Sequence, residues 1–393
     1  MNFPLSFGRT AFLFLLSLSF LLASAQEPFV RRSVVEEFAG TWCGHCPRGM
    51  VGMERLAEQF GDRFIGIAVH TGSGEPMAIP GYPDVQEQLL PGSGAPSCVI
   101  NRLAFKFDPY SGSGKRGAFH YGIDEDFAAS LAMPTEAKVE LKAQWDDEFQ
   151  WDVRFTATTT FNIDSSNAPY RLIFVLTEDG LTGTGDKWEQ TNYFSLETAS
   201  SEGEKYLDDD LAFWRSSPYH VPGVTYNHVP VNTLGVKSGI EGSIKVPIVS
   251  FEPQTYTNVV TTLASHTQRL IQDKNRLTAI AMLINTESGE VVNAAKSTIR
   301  PYGAADAVRG DANGDGTVDV ADISAIITIM ATATTPDASA TTIPDASASG
   351  PADVNGDGVI DVADISAVIT IMASATIPDA SASGSTDVII KTM

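Results

Sequence analysis

The sequence predicts a multidomain protein: an α/β domain, then a mainly antiparallel β-sandwich domain, then a small α domain built on a duplicated loop-helix unit. Three observations carry this. Short apolar strands alternate with helical stretches up to Met133, the pattern of an α/β sheet. From Pro134 to Pro301 the apolar residues recur mostly every second position, as in a sheet with one buried face. Beyond Gly303 a block of acidic residues repeats with an offset of 42 residues. The expected divisions are 1–25, 26–133, 134–302 and 303–393.

The first division is a targeting segment. Arg9 precedes the apolar run Ala11 to Leu22, and Ala23, Ser24 and Ala25 follow. This is the charged, apolar and small-residue order of a signal peptide. Cleavage after Ala25 leaves Gln26 at the new N-terminus, so the bacterial lipoprotein route, which needs a cysteine there, is closed. The apolar run is short for a transmembrane helix, and no transmembrane segment is expected in the mature chain. Export places the protein in the periplasm, at the outer membrane or outside a bacterial cell. The net charge of -22 argues against nucleic acid as a partner.

In the second division, Ser33 to Phe38 reads as a strand and Arg48 to Phe60 as an amphipathic helix with Met50, Met53, Leu56 and Phe60 on or near one face. Phe64 to His70 and Cys98 to Asn101 read as strands, and Asp124 to Met133 as a closing helix. The stretch from Thr71 to Gly94, rich in Gly and Pro, reads as a loose connection. The chain has three cysteines, Cys43, Cys46 and Cys98. That is too few for a disulfide framework. Cys43 and Cys46 have redox spacing, and the absence of a second such pair argues against zinc. A strand ending near Phe38 and a helix beginning around Cys46 put Cys43 at a helix N-terminus, which favours its thiolate. Cys43 is then the attacking thiol and Cys46 the resolving one. His45 adds an imidazole that stabilises the reduced form, which makes the disulfide more oxidising. Cys98 reads as a buried core residue or as a third thiol near the pair.

The segment Glu37-Phe38-Ala39-Gly40-Thr41-Trp42-Cys43-Gly44-His45-Cys46 resembles the thioredoxin superfamily, and within it the protein disulfide isomerases. The resemblance implies a thioredoxin-like domain over 26–133 and a redox-active Cys43–Cys46 disulfide that exchanges with protein thiols or disulfides. It implies that Glu37 is a buried carboxylate relaying protons and that Pro96 is a cis-proline shaping the substrate groove. Pro47 stands where the isomerases usually have Lys. The run from Glu36 through Pro47-Arg48-Gly49 is also similar to the outer membrane protein 28-related bacterial family, in which a thioredoxin-like domain precedes a β-rich one.

In the third division, Ala137 to Ala143, Trp151 to Phe161 and Tyr170 to Thr177 alternate as strands. Leu277 to Ile284 and Val291 to Ile299 flank a hairpin turn. An excursion from Glu178 to about Asn227 carries Trp188, Tyr193, Phe194, Tyr206, Phe213, Trp214 and Tyr219. These aromatics line a ligand site or pack a small helical subcore.

The last division holds thirteen Asp and no Glu. Asp311, Asn313, Asp315, Gly316, Asp319 and Asp322 fall at positions 1, 3, 5, 6, 9 and 12 of a calcium loop, and Asp353, Asn355, Asp357, Gly358, Asp361 and Asp364 repeat them. Thr317 and Val359 offer backbone carbonyls at position 7. Two calcium ions are expected. Each loop runs into an amphipathic helix, with Ile323, Ile326, Ile327 and Met330 in one and Ile365, Val368, Ile369 and Met372 in the other. No helix precedes either loop. Loop-helix duplication with Asp at position 12 resembles dockerin domains, which implies calcium-dependent folding and a cohesin-like scaffold module as partner, often in polysaccharide-degrading assemblies.

The leading expectation is an exported thiol–disulfide oxidoreductase of oxidase or isomerase type, tethered by the dockerin-like module. The alternative is a surface binding or assembly protein in which the thioredoxin fold is a scaffold. A glycosidase is disfavoured because no domain offers a place for a carboxylate pair.

Overall fold

The structure is a computed structural model. It describes residues 29–106, 109–110, 123–167, 169–198, 209–304, 309–313, 317–332, 343–344, 351–355 and 359–375. The expected signal peptide and the loop residues Asp315, Gly316, Asp357 and Gly358 lie outside the described residues, as does Tyr206.

Four strands form the first sheet: β1 (Ser33–Ala39), β2 (Phe64–His70), β3 (Ser97–Ile100) and β4 (Ala104–Lys106), in the order β2-β1-β3-β4. β1 and β2 run parallel because α1 (Cys46–Phe60) crosses between them. β3 returns antiparallel to β1, setting Glu37 opposite Cys98. α3 (Ile123–Ala132) lies beside α1. Met53, Leu56 and Phe127 pack there against Val35 and Phe64. The other face of β1 and β2, with Val34, Phe38, Ile65, Ile67 and Val69, enters a larger core. Both strands are thus covered on both sides, which explains their unbroken apolar runs.

The connection after β2 is more ordered than its composition suggests. It contains α2 (Tyr82–Leu89), which opens on Gly81 at a φ of 93° with a proline in its first turn. Gly81 supplies a backbone conformation that other residues resist, and Pro83 is tolerated where an N–H has no helical partner.

The following strands are β5 (Ala137–Trp145), β6 (Asp152–Phe161), β7 (Tyr170–Glu178), β10 (Val229–Leu234), β11 (Gln254–Thr261), β12 (Leu277–Asn285) and β13 (Val291–Arg300). They join in one seven-stranded sheet, β10-β7-β12-β13-β5-β6-β11. The sandwich expected over 134–302 therefore has linked halves. β13 outruns its antiparallel pairing with β12 and meets β5 in parallel through Ile299 and Arg300. β5 and β6 alternate between buried and exposed positions, while β7 and β12 are buried almost throughout. β7 and β12 contribute Phe174, Val175, Ile280 and Met282 to the same core that receives Phe38 and Ile67 of the first sheet. A backbone bond from Ala68 to the His228 carbonyl, 2.8 Å, ties β2 to the residue preceding β10.

The excursion contains β8 (Gln190–Thr191), α4 (Ala212–Ser216) and β9 (His220–Val221), with β8 and β9 paired. α5 (Ser265–Leu270) precedes β12. The C-terminal elements are α6 (Val320–Thr332), β14 (Ile343–Pro344), β15 (Val359–Ile360) and α7 (Val362–Ala375). Among the described residues, no helix is long and apolar enough to cross a membrane.

Candidate functional site

Cys43 and Cys46 are joined by a disulfide at the start of α1. The turn between β1 and α1 is closed by backbone bonds from Cys43 to the Gly40 carbonyl and from Cys46 to that of Cys43, 3.0 and 3.2 Å. His45 is the N-cap residue, and the first turn of α1 holds no acidic side chain. Positive helix dipole is therefore presented to the pair without a competing carboxylate from that turn. The Ala95–Pro96 peptide is cis. Glu37 is buried on β1 and lies against Gly49 of α1, with Pro96 close by; a side chain at Gly49 would collide with the Glu37 carboxylate. Cys98 is a fully buried thiol across the sheet from Glu37. Cys43, Cys46, Glu37, His45 and Pro96 thus gather around one helix start.

What the sequence does not foretell is the cover over this site. Cys43 is only 4% exposed and Cys46 is fully buried. The excursion supplies the cover. Thr191 donates its backbone N–H to the Thr41 carbonyl at 2.8 Å, and Tyr193 does the same to Gly44 at 2.9 Å. Gln190 Nε2 donates to the Cys43 carbonyl at 2.8 Å. The His45 ring meets the edges of Tyr193 and Phe194, and the Arg48 guanidinium lies over Phe194. On the opposite side Glu75 accepts from the Thr41 backbone and hydroxyl, and its other oxygen lies 3.1 Å from His70 Nδ1. Trp42 stays half exposed while its Nε1 donates to the Thr71 carbonyl. The covered residues and those that cover them lie about 150 positions apart, so nothing local signals the cover. The sole hint is an aromatic-rich insertion of unusual length.

The excursion aromatics divide accordingly. Phe194 and Trp214 are buried, whereas Tyr193, Phe213 and Tyr219 are exposed. Tyr193 and Tyr219 stack with ring centres 5.9 Å apart.

The two acidic repeats show matching geometry. Asp311 and Asp322 are buried in one, Asp353 and Asp364 in the other. Asp322 accepts from the backbone of Asn313 and Asp319, and Asp364 from that of Asn355 and Asp361, all between 2.8 and 3.1 Å. Each position-12 carboxylate thereby ties together two backbone positions of its repeat. Buried carboxylates at positions 1 and 12 suit a divalent cation. Asp319 and Asp361 cap the following helices through the backbone of Ala321 and Ala363. Arg309 donates to the Val354 carbonyl and Gly310 to that of Pro351, so the two repeats clasp each other. The helix faces are narrower than their sequences suggest. Ile326 and Val368 are buried, but Ile327 and Ile369 are half exposed. Val320 and Val362, each two turns earlier on the same face, are also exposed.

Residues 309–373 match the family of the dockerin type I domain. No curated protein sequence matches the chain. Among solved structures, HBP35 of Porphyromonas gingivalis is similar over 72% of this chain and 81% of its own length, at 16% identity and a TM-score of 0.47. A domain of the outer membrane lipoprotein Omp28 from the same organism covers 42% of this chain and 90% of its own, at 14% identity and a TM-score of 0.21.

Proposed function

We propose that this chain is an exported component of a surface assembly, attached to a cohesin-like scaffold module through its calcium-folded C-terminal repeats. The dockerin match over 309–373 carries the reading. The duplicated loops each take one calcium ion through Asp311, Asn313, Asp315, Thr317, Asp319 and Asp322, and through Asp353, Asn355, Asp357, Val359, Asp361 and Asp364. The metal's charge lets the buried carboxylates fold together, and folding presents the helices. Val320 with Ile327, and Val362 with Ile369, form two equivalent exposed apolar stripes of the kind that a protein partner covers. In this reading the division at 302/303 separates an anchor from a rigid body in which the N-terminal disulfide stabilises a helix start. The test is retention of the full chain on immobilised type I cohesin modules in calcium and in chelator. Calcium-dependent retention supports the reading.

A second reading rests on a specific observation: a disulfide at a helix start with a buried carboxylate and a proline gathered around it. We propose that 26–133 is a thioredoxin-like domain whose Cys43–Cys46 pair is redox-active once the excursion is displaced. In the oxidase direction a substrate thiolate attacks the Cys43 sulfur of the disulfide, Cys46 leaves as a thiolate that is protonated by way of Glu37, and the substrate's second thiolate displaces Cys43, so that the substrate ends as a disulfide and the pair as a dithiol. In the reverse direction the reduced Cys43 attacks a substrate disulfide and Cys46 resolves the mixed disulfide. A Cys43→Ser variant that loses disulfide-exchange activity supports this reading. Failure of the native pair to cycle at all leaves the assembly reading alone.

A further inference from the structure

Behind the disulfide lies a cavity of about 340 Å³ between α1, the β1–β2 edge and the excursion. This is within the roughly 300–1,000 Å³ range of pockets that take small organic ligands. Its floor is buried. Glu37 and Ala39 of β1 alternate with neighbours facing the other way, and in register with them stand Ala68 and His70 of β2. Trp214 and Tyr226, 5% and 2% exposed, form an aromatic wall, with Met50 and Met53 of α1 opposite. Its mouth is open to solvent, where Arg55 pairs with Asp210 at 2.7 Å and Asn227 donates to Glu54 at 2.8 Å.

The lining carries more carboxylates than guanidinium or ammonium groups. Four carboxylates face the cavity, from Glu37, Glu54, Glu58 and Asp210, against one guanidinium, that of Arg55. Arg55 is spent on Asp210. The Asn227 amide is spent on Glu54, and that of Gln190 on the carbonyls around Cys43. His70 is 5% exposed. Its Nδ1 lies 3.1 Å from the Glu75 carboxylate, which can only accept, so the tautomer with its proton on Nδ1 turns Nε2 into an acceptor. Among the described residues Nε2 has no hydrogen-bond partner, and His70 lines the cavity. An acceptor on the cavity wall suits a ligand that brings a donor.

We propose that this cavity binds a small organic cation bearing a flat apolar group. The ammonium donates to His70 Nε2 and is balanced by the surrounding carboxylates, and the apolar group lies against Trp214 and Tyr226, where a cation also gains from the ring faces. The site does not depend on the anchoring reading or on redox cycling of the disulfide.

The test is calorimetric titration of the full chain in calcium with phenethylamine and with 3-phenylpropanoate, which has a similar size and the opposite charge. The expected result is amine binding with a Kd of about 1 mM or tighter and no binding of the carboxylate. The exposed variant Asp210→Asn leaves Arg55 unpaired at the mouth and weakens the amine about tenfold, the effect of one like charge brought into play. The amine also changes tryptophan fluorescence, and Trp214→Phe removes that change. Absence of amine binding overturns the proposal, as does equal binding of the carboxylate or an unchanged affinity in Asp210→Asn.

Discussion

The backbone N–H of Tyr193 donates to the carbonyl of Gly44 at 2.9 Å, and the Tyr193 ring fills the space that a side chain at Gly44 would need. A segment about 150 residues downstream is thereby laid directly over the Cys43–Cys46 disulfide. Together with Thr191 and Gln190 it explains why Cys43 is only 4% exposed.

Gly44→Ala sets a methyl group against that ring. The expected result is displacement of the Tyr193 segment and faster reduction of the disulfide by a phosphine, by about tenfold if roughly 1.4 kcal/mol of closure is lost. Timed alkylation of the released thiols reads the rate. An unchanged rate shows that the excursion does not govern access.

Glu36 and Arg102 form a buried pair with two hydrogen bonds of 2.7 Å, and Arg102 also donates to the Val236 carbonyl. Burial disfavours the guanidinium charge, but Glu36 outweighs it and raises the Arg102 pKa. Glu36→Ala leaves that charge buried without its partner and is expected to cost about 3–5 kcal/mol. Urea unfolding measures it. Because Arg102 bridges β1 to the segment after β10, the loss is expected in one cooperative transition spanning both sheets.

Tyr170 donates to Glu136 at 3.1 Å, and burial first, then the Glu136 charge, pushes its pKa up to about 12. In the unfolded chain it titrates near 10. The folded state thus holds its proton longer, and this contribution to stability is fully present below about pH 10 and is lost as pH rises towards 12. Tyr170→Phe is expected to flatten the fall in melting temperature over that window. An identical pH profile in the variant contradicts the assignment.

Calcium removal is expected to unfold 309–373 and leave 29–304 folded. Chelator then lowers the helical circular dichroism signal and exposes the C-terminal segment to protease, while the tryptophan fluorescence of the rest is unchanged. Asp322→Ala or Asp364→Ala is expected to reproduce the loss in its own loop. A full helical signal in chelator contradicts it.

These particulars show which features are legible in one dimension. The dockerin repeats are local: the acidic spacing, the glycine and the helix start fall within a dozen residues, so the repeat is legible from the sequence. The strand–turn–helix at Cys43 is local too, and β1, β2, β12 and β13 fall within a residue or two of their apolar runs. The cover over Cys43 joins residues 41–44 to 190–193 and depends on a long-range fit of backbones. The link between β13 and β5 likewise rests on two residue pairs, too few to leave a pattern. Ile327 and Ile369 share the helical apolar period, and only packing of the two repeats decides that they face outward.

Anchoring through the calcium-folded repeats and the apolar stripes they present requires that the full chain bind type I cohesin modules. Surface plasmon resonance on a cohesin panel, in calcium and then in chelator, measures this. The predicted result is reversible binding in calcium that is abolished by chelator, reduced by Ile327→Asp with Ile369→Asp, and unaffected by Cys43→Ser. Absence of binding across the panel while the repeats are folded and loaded with calcium would contradict it.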